Sequence, residues 1–444
     1  MDKRVQGICR ILNKAGHQCF LVGGAVRDIL MDRAPKDFDL VTDATPTEVE
    51  KLFSKTISVG KQFGVIVVIE DGKPYEVATF RSEHGYSDSR HPDTVTWSTP
   101  EQDAERRDFT INALFYDPLM SEVTDYVNGK ADLTAKRVRF IGDPAARIIE
   151  DHLRLLRAVR LRNELGFEYE PATWQAIVDH APEIATVSAQ RIRDELNKML
   201  LTPGRVEALE DLDKSGLLKV VLPELEALHG INQEWKFHGK GDVLTHTLLA
   251  VKVLPQDIKL EVVWGTLLHD IGKPATKATV PDKRFGGTRT GFYGHHEVGA
   301  KIAEALLRRL RFPNEQIEFI VWLVRHHMMI HEILEMRVGR QKRWLLDPRL
   351  PDLLELHRAD ASGKGEGKRI NLQAYQEVKK LMQDERAKPP PPPKLVDGND
   401  LMKEFKLKPG PEVGKLLKLV EDSVWEGQIK TKDEALQFLR EHLT

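Results

Sequence analysis

The protein has 444 residues, more than one hydrophobic core usually organises, so we expect three or more folding units and exclude a small scaffold stapled by disulfides. Apolar residues make up 41% of the chain and charged residues 30%, which are ordinary values for globular proteins. The formal net charge of −2 excludes a globally basic nucleic-acid binder, so any basic surface must be local.

The sequence indicates neither a membrane span nor a disulfide framework. The N-terminus lacks the apolar core of a signal peptide, and no stretch reaches the roughly 18 consecutive apolar residues of a membrane helix. The two cysteines, Cys9 and Cys19, lie in no metal-binding spacing, and we expect them to be buried as small hydrophobic residues in a reducing compartment. We therefore expect a cytoplasmic protein with no membrane partner and no obligate protein partner.

Residues 1–142 are predicted to form a mixed α/β head. A helix, a strand, a glycine turn and a second helix come first, and short β-rich runs such as 64–70 and 75–80 follow. The turn, Gly23-Gly24, joins an apolar strand to a helix start, where backbone N–H groups can approach a phosphate. Arg27, one turn into the helix, is a candidate to bind the same anion.

Two aspartates follow the glycine turn within one short apolar segment. Along a strand, the period of two places Asp37 and Asp39 on one face and Phe38 on the core face. Like charges this close raise each other's pKa unless cations lie between them, and Mg²⁺ suits carboxylates that leave room for water and phosphate. Two such ions can activate an attacking hydroxyl and stabilise a leaving pyrophosphate. A third carboxylate would complete the site, and the candidates are Glu76 and Asp108.

Residues 143–228 carry long helical periods, for example 145–165 and 188–201. Between Lys136 and Asn163, eight basic residues stand against three acidic ones, which favours an anionic partner. The first predicted helix has charged residues at a spacing of three, which we expect to lie near one face. They are Asp151, Arg154, Arg157 and Arg160.

Five motifs follow one another through the head and this first helix. They are LVGGAVRD (21–28), DFDLVT (37–42), RRDFTINA (106–113), DYVNGKAD (125–132) and EDHLRLLRAVR (150–160). In this order they resemble the motifs of class II tRNA nucleotidyltransferases and bacterial poly(A) polymerases. The resemblance implies an α+β protein, with a polymerase-β-like nucleotidyltransferase head followed by a mostly helical neck, body and tail. It also makes Arg107 a further candidate for nucleotide binding.

The resemblance implies template-independent addition of CCA to the 3′ end of tRNA from CTP and ATP, with release of pyrophosphate. Asp151 would accept the exocyclic amine of cytosine or adenine, and Arg154 would donate to the neighbouring ring nitrogen. Uracil and guanine present a carbonyl to the carboxylate, which leaves buried acceptors unpaired. Arg157 and Arg160 would contact the triphosphate or stack.

The polar stretch 81–100 contains glycine and is predicted to be a mobile loop. In the CCA-adding enzymes that the chain resembles, a loop at this place helps the switch from CTP to ATP, and related CC-adding enzymes lack it. Its presence weighs against CC addition only, so A-only addition to tRNA and poly(A) synthesis remain alternatives. A rival from another class is an RNA-binding head joined to a working phosphohydrolase.

A histidine-rich helical block occupies residues 229–365 and contains a glycine-rich loop at 280–294. Its motifs LLHDIGK (267–273) and GHHEVGA (294–300) resemble HD phosphohydrolase domains, in which histidines and aspartates hold one or two divalent metals. The resemblance implies a divalent transition metal and hydrolysis of phosphomonoesters or 2′,3′-cyclic phosphates. The candidate ligands are His246, His269, Asp270, His295, His326, His327 and Asp360. His295 fits the motif better than His296, whereas spacing does not separate His326 from His327.

Residues 366–444 are predicted to form a linker and a small helical tail. The proline run 389–393 must be extended polyproline, which marks a semi-rigid linker. For the tail beyond it, RNA docking and a structural cap on the helical body remain equal alternatives.

Overall fold

The computed structural model of the protein describes residues 2–58, 60–86, 92–232, 241–281, 286–363, 371–388 and 394–443. The chain forms two compact units that meet in sequence between Pro223 and Glu224. The four domains expected from the sequence are a finer division and stay a prediction. The proline run 389–393 and part of the predicted mobile loop, 87–91, lie outside the described residues.

A seven-stranded sheet forms the centre of the first unit. The strands of this part of the chain are β1 (Cys19–Val22), β2 (Asp39–Thr42), β3 (Thr56–Ile57), β4 (Val65–Glu70), β5 (Lys73–Thr79), β6 (Arg81–His84), β7 (Thr94–Trp97), β8 (Leu114–Asp117) and β9 (Glu122–Asp125). The strand order of the sheet is β3-β4-β5-β2-β1-β8-β9, and β6 pairs with β7 in a separate hairpin. Within this sheet β2 and β5 run parallel, whereas the other neighbouring strands run antiparallel. These elements confirm the predicted mixed α/β head.

Helices cover the sheet and bury its apolar residues. They are α1 (Lys3–Lys14), α2 (Gly24–Leu30), α3 (Pro46–Leu52), α4 (Pro100–Glu105) and α5 (Gly129–Thr134). Val5, Ile8 and Leu12 repeat at helical spacing on α1 and pack with Leu21 and Leu40 of the sheet in one buried cluster. The helical period of α1 and the short strands therefore meet in a common core.

Cys9 on α1 and Cys19 on β1 form a disulfide, with their Cα atoms 5.2 Å apart. Both residues are buried, as expected, but the expectation that they serve only as small hydrophobic residues is wrong. The apolar face of α1 packs against β1, which brings the two sulfur atoms together in a way that cysteine count and spacing do not reveal.

The rest of the first unit is mainly helical. Its elements are β10 (Arg137–Val138), α6 (Pro144–Glu150), α7 (Arg154–Leu165), β11 (Glu168–Tyr169), α8 (Pro171–Asp179), α9 (Ala189–Leu200), α10 (Arg205–Lys214) and α11 (Leu217–Val221). The single helix predicted over 145–165 is wrong, because Asp151 has extended backbone angles that separate α6 from α7. Its side chain accepts the N–H of Leu153 at 3.1 Å, a local bond that competes with helix continuation.

In its described residues the second unit is helical apart from one pair of antiparallel strands. Its elements are α12 (Pro223–Glu226), which spans the boundary, α13 (Val243–Lys252), α14 (Leu260–Leu268), α15 (Lys273–Thr276), β12 (Ala278–Pro281), β13 (Thr288–Gly291), α16 (His295–Arg309), α17 (Asn314–His326), α18 (Met329–Glu335), α19 (Val338–Leu346), α20 (Leu350–Ser362), α21 (Gln373–Arg386), α22 (Gly398–Phe405), α23 (Pro411–Trp425) and α24 (Lys432–Leu443). The loop predicted at 280–294 thus includes β13, while residues 282–285 lie outside the described part. Among the described residues, no helix combines the length and the hydropathy needed to cross a membrane.

Candidate active site and metal centre

The glycine turn between β1 and α2 lies directly beside the carboxylate of Asp39. Gly23 has a φ of +74°, a conformation that side-chain-bearing residues rarely adopt. A Cβ atom on Gly23 would lie 3.4 Å from Oδ2 of Asp39, so glycine also permits the close approach of backbone and carboxylate. Arg27 is buried behind the turn, where its Nε donates to Asp28 and its Nη1 donates to Asn112, each at 2.9 Å. Arg27 supports the turn, and its contact with an anion stays a prediction.

Three exposed carboxylates come together near this turn. Asp39 begins β2 and lies opposite Glu76 on the parallel strand β5. Asp37 precedes β2, so the strand begins later than predicted, but the charges of Asp37 and Glu76 both act on Asp39. Partial desolvation of the carboxylate by the surrounding walls raises the pKa of Asp39, as does the charge of Glu76, while Arg107 opposes the rise. A divalent cation among the three groups would relieve this repulsion.

Asp108, the other candidate for the third carboxylate, is engaged by an arginine. Its Oδ2 lies 2.5 Å from Nη2 of Arg157, and its Oδ1 accepts the N–H of Phe109 at 2.9 Å. Burial acts to raise the pKa of Asp108, but the charges of Arg157 and Arg154 hold it below its ordinary value. Of the two candidates, Glu76 is the one opposite Asp39.

Asp103 on α4 is fully buried and orients the guanidinium groups of two arginines. Its carboxylate accepts from Nε and Nη2 of Arg106 at 2.9 and 2.7 Å, and from Nε and Nη2 of Arg107 at 3.2 and 3.0 Å. The N–H of Arg81 donates to it at 3.3 Å, and Glu83 accepts from both Arg81 and Arg106. Burial acts to raise the pKa of Asp103, but Arg107 and Arg106 hold it below its ordinary value.

These groups surround a cavity of about 720 Å³. Six arginines and four carboxylates line it, together with the glycine turn and the apolar side chains of Phe63, Val65 and Pro92. The charged lining residues are Arg81, Arg106, Arg107, Arg154, Arg157, Arg191, Asp39, Glu83, Asp108 and Asp151. The volume suits a small-molecule ligand, and the excess of arginine favours an anionic one.

Asp151 and Arg154 both line this cavity. Asp151 occupies the break between α6 and α7, and Arg154 begins α7. Nη1 of Arg154 donates to the backbone oxygen of Arg147 at 2.6 Å and also to Glu150. A guanidinium carries three further N–H groups on Nε and Nη2, so donors remain for a ligand.

Arg160 lies elsewhere, and it is not among the residues that line this cavity in the described part of the chain. Its Nε donates to Glu195 at 2.6 Å and its Nη1 donates to Glu164 at 2.9 Å. Helical residues are rotated by roughly 100° each, so a spacing of three drifts by roughly 60° at every step. The expectation that the four charged residues share one helix face is therefore wrong. A contact between Arg160 and a nucleotide stays a prediction.

Six side chains converge in the second unit. They are His246, His269, Asp270, His295, His327 and Asp360, whose ligand atoms form two groups of three with every separation inside a group within 4.8 Å. Nε2 of His246 lies 3.0 Å from Oδ1 of Asp360, and Nε2 of His269 lies 3.2 Å from Oδ2 of Asp270. Nε2 of His295 lies 3.4 Å from Oδ1 of Asp270 and 3.2 Å from Nε2 of His327.

His326 does not belong to this cluster, which corrects its inclusion among the candidate ligands. Its Nδ1 donates to the backbone oxygen of Trp322, and its ring packs against Trp322 and Trp344 at 4.9 and 5.3 Å between centroids. Neighbouring residues at a helix end point in directions roughly 100° apart, so only one of two adjacent histidines faces the centre. His327 does so, and His295 does so in preference to His296.

The hydrogen bonds that orient the histidines of this cluster fit a metal ion. In all four histidines Nδ1 faces a backbone oxygen, that of Gly363, Thr266, Phe292 or Val324, at 2.7 to 3.0 Å. Because a carbonyl only accepts, Nδ1 carries a hydrogen, so Nε2 is the atom of each ring left for a metal ion. Burial lowers the pKa of His327 to about 3, which leaves a neutral ring. In His269, Asp270 and Asp360 outweigh burial and raise the pKa to about 10, and a metal ion would displace that proton.

The sequence did not single out Asp103, Glu83 or Arg191. Asp103 had a usable signal, because arginines follow it at the i+3 and i+4 helical positions. No sequence signal pointed to Arg191, because its partner Asp151 lies 40 positions away in the chain.

Comparison with known families covers most of the chain. A model of the poly(A) polymerase head domain matches residues 19–139, and one described as the probable RNA and SrmB-binding site of polymerase A matches 166–228. An HD-domain model matches 243–362, and a putative tRNA nucleotidyltransferase domain 2 matches 353–439.

Named relatives agree with these matches. A CCA-adding enzyme of Bacillus pumilus is 38% identical over 274 residues, which is 62% of this chain and 64% of the relative. A CCA-adding enzyme of Bacillus subtilis is 44% identical over 211 residues, 47% of this chain and 53% of the relative. The matched part thus spans about half to two thirds of the length of these curated relatives.

Solved structures match over the whole chain. The Bacillus stearothermophilus CCA-adding enzyme in complex with CTP has a TM-score of 0.70 at 26% identity and covers 100% of this chain and 98% of its own. The Thermotoga maritima CCA-adding enzyme complexed with tRNA_CCA has a TM-score of 0.54 at 17% identity, covers 100% and 95%, and shows the same fold.

Proposed function

Because the chain belongs to the family of CCA-adding enzymes that carry an HD domain, we propose that it adds CCA to the 3′ end of tRNA from CTP and ATP. The reaction uses no nucleic-acid template and releases pyrophosphate. The observation that carries the proposal is the pairing of Asp39 with Glu76 on neighbouring strands, where Asp39 lies beside the glycine turn in a cavity lined by six arginines. Relatives solved with CTP and with tRNA_CCA support this choice of substrates.

In the proposed reaction the RNA 3′-hydroxyl attacks the α-phosphate of the bound nucleotide in line, and pyrophosphate leaves. Asp37, Asp39 and Glu76 would hold Mg²⁺, since oxygen ligands with room for water and phosphate suit this ion. When bound, Mg²⁺ supplies activation of the attacking hydroxyl and neutralisation of charge on the leaving group. Of these carboxylates, Asp39 lies next to the Gly23 backbone.

The arginines of the cavity would hold the triphosphate. Arg106 and Arg107 are oriented by Asp103, and Arg157 is oriented by Asp108, so each guanidinium is fixed before the nucleotide arrives. Charged hydrogen bonds from such fixed donors are stronger than those from mobile side chains, which must be ordered on binding. The three groups also lie in one cavity with Asp39, which places the phosphates near the metal ligands.

Asp151 and Arg154 would select the base. A carboxylate accepts the exocyclic amine of cytosine or adenine, and the guanidinium donates to the adjacent ring nitrogen. Uracil and guanine would place a carbonyl against Asp151 and leave two acceptors facing each other. An Asp151→Ala enzyme that still excludes UTP and GTP as well as its parent does would contradict this assignment.

The first test supplies the purified protein with Mg²⁺ and a tRNA that lacks its three terminal nucleotides. CTP and ATP are given separately and together, and the 3′ ends are sequenced. Addition of CCA that then stops supports the proposal. A lone adenosine on a CC-ended tRNA, or a long adenosine tail on general RNA, would move the protein to A-only addition or poly(A) synthesis with the same chemistry.

The Asp39→Asn variant separates this proposal from the rival reading, an HD phosphohydrolase with an RNA-binding head. Loss of one carboxylate should abolish nucleotide transfer, because the amide no longer holds the metal with a charged oxygen. Asp43→Asn is the matched control, since Asp43 follows the same strand and contacts the exposed backbone N–H of Gln18 and the ring of His17. Transfer that survives in Asp39→Asn would contradict the role of Asp39, and a parent protein that transfers no nucleotide would favour the rival.

We further propose that the HD domain hydrolyses phosphomonoesters or 2′,3′-cyclic phosphates with a divalent transition metal. The observation that favours this activity is the cluster of four histidines around the buried Asp270 and the half-buried Asp360. Protein supplemented with Mn²⁺, Co²⁺ or Ni²⁺ should open a cyclic phosphate, and His269→Ala should not. His326→Ala is the control, because its ring packs against two tryptophans outside the cluster. An inert supplemented parent would end this proposal.

The proposed substrate also suggests a location. Mature tRNA is used in translation, so we propose that the reaction takes place in the cytoplasm. Fractionation of cells that express a labelled form of the protein would test this.

A further inference from the structure

Arg191, on α9, holds the carboxylate that we assign to base selection. Its Nη1 donates to Oδ1 of Asp151 at 3.1 Å and its Nη2 donates to Oδ2 at 2.7 Å, which is a two-pronged bond between planar groups. Both residues line the cavity, and their side chains are 24% and 18% exposed. The Arg191–Asp151 pair is therefore accessible to a ligand in the cavity.

Counting acceptor sites shows what Asp151 still offers. A carboxylate has about four lone-pair sites, two on each oxygen. Oδ1 receives Nη1 of Arg191 and the N–H of Leu153, both at 3.1 Å, and Oδ2 receives Nη2 of Arg191. Three sites are filled by these bonds, so one remains, on Oδ2. A single N–H donor of an incoming base can fill it.

We propose that Arg191 is a positioning residue for base selection, which fixes Asp151 so that it offers one acceptor site to the exocyclic amine of CTP or ATP. This inference rests on the proposed function and adds a specificity determinant to it. The two-pronged bond and the Leu153 N–H together fix the plane of the carboxylate.

The fixed plane matters most for the wrong nucleotide. If a uracil or guanine carbonyl faces a carboxylate that cannot turn, two acceptors are left unpaired. Without Arg191 the carboxylate can rotate toward solvent, or a water molecule can donate to both acceptors and relieve the mismatch. The correct nucleotide loses as well, because binding must then order a mobile side chain. Discrimination between the correct and the wrong nucleotide therefore falls for two reasons: the wrong one is penalised less, and the correct one binds less well.

The test uses Arg191→Met, which keeps an unbranched apolar stem and removes the charge and the donors. Values of kcat/KM are measured for CTP and UTP on a tRNA that lacks its three terminal nucleotides. We expect the CTP-to-UTP ratio to fall at least about tenfold, the effect of one charged hydrogen bond. Arg193→Met is the matched control, because Arg193 lies two positions away on α9 and pairs with its neighbour Asp194.

A purely structural role would lower activity with both nucleotides and leave their ratio unchanged. The double variant Asp151→Asn/Arg191→Met adds a second criterion. If Arg191 acts through Asp151, its removal should leave the ratio of the Asp151→Asn enzyme unchanged within about twofold. Should Arg191→Met fail to fold, Arg191→Lys replaces it, because lysine keeps the charge but cannot form the two-pronged bond and should give an intermediate ratio.

The outcomes separate the inference from the function on which it rests. A parent protein that transfers no nucleotide overturns the proposed function. A parent that selects CTP over UTP, with Arg191→Met or Arg191→Lys keeping the parental ratio, overturns only the role of Arg191. A further loss of ratio in the double variant would also overturn it, because Arg191 would then act independently of Asp151.

Discussion

Replacing Asp103 by asparagine should weaken both the fold of the first unit and nucleotide binding. The side chain is fully buried and accepts five hydrogen bonds, four of them from the guanidinium groups of Arg106 and Arg107. Removing one partner of a buried charged pair costs about 3–5 kcal/mol, and asparagine keeps one acceptor oxygen, which favours the lower end of that range. For a unit of this size, such a loss lowers Tm by roughly 6–12 °C.

Calorimetry of the full chain at pH 7 measures this effect, with Asp179→Asn as the matched control. Asp179 is exposed and accepts from Gln175 at 2.8 Å, so its substitution should cost no more than about 0.5 kcal/mol. In the nucleotide-addition assay, Asp103→Asn should raise KM for CTP about tenfold, since Arg107 loses the bonds that orient it. An Asp103→Asn protein with parental Tm and parental KM would refute this reasoning.

Acid should erase the difference in stability between the parent and Asp103→Asn. The folded pKa of Asp103 lies below its ordinary value of 3.8, so the charged form is favoured by folding. The contribution of ionised Asp103 to the free energy of unfolding is complete above the pKa of the unfolded state. It is lost as pH falls through the pKa of the folded state. The Tm gap should therefore stay constant from about pH 8 to 5 and narrow below about pH 4. A gap that widens with acid would contradict the assigned charge state.

Three further changes test other parts of the molecule. His327→Ala should reduce binding of Mn²⁺ by the second unit at least about tenfold, measured by calorimetric titration, whereas His326→Ala should bind as the parent does. Glu76→Gln should lower kcat of CTP addition at least about a hundredfold and raise the Mg²⁺ concentration needed for half-maximal rate, and an unchanged Mg²⁺ dependence would exclude Glu76 as a ligand. Gly129→Ala should unfold the head or lower its Tm by several degrees in a melting experiment, because the new Cβ would overlap the backbone oxygen of Thr110.

The strands and the glycine turn of the head could be predicted because local patterns determine them. The runs at 64–70 and 75–80 became β4 and β5, and the apolar segment after Phe38 became β2. Which strand lies beside β2 was not predictable from these patterns. The parallel pairing of β2 with β5 depends on tertiary structure. It brings Glu76 next to Asp39, whereas Asp108 forms an ion pair with Arg157.

The break at Asp151 shows a limit of periodicity. The apolar repeat runs through 145–165 without interruption, so a helix was the reasonable prediction. Aspartate, however, can bond its own downstream backbone and end a helix, as it does with Leu153. The same limit applied to His326 and His327, where only the rotation of α17 within its packing decides which ring faces the metal ligands.

The short parallel ladder of β10 and β11 bears on how hybrid enzymes could be built. Val138 lies opposite Tyr169, and the N–H of Phe140 donates to Oγ1 of Thr173 at 3.2 Å. A chimera joined at the predicted boundary after residue 142 would combine β10 of one parent with β11 of the other. A junction ahead of residue 137 would take β10, β11 and the helices around them from the same parent. Recombination between relatives should therefore be better tolerated there.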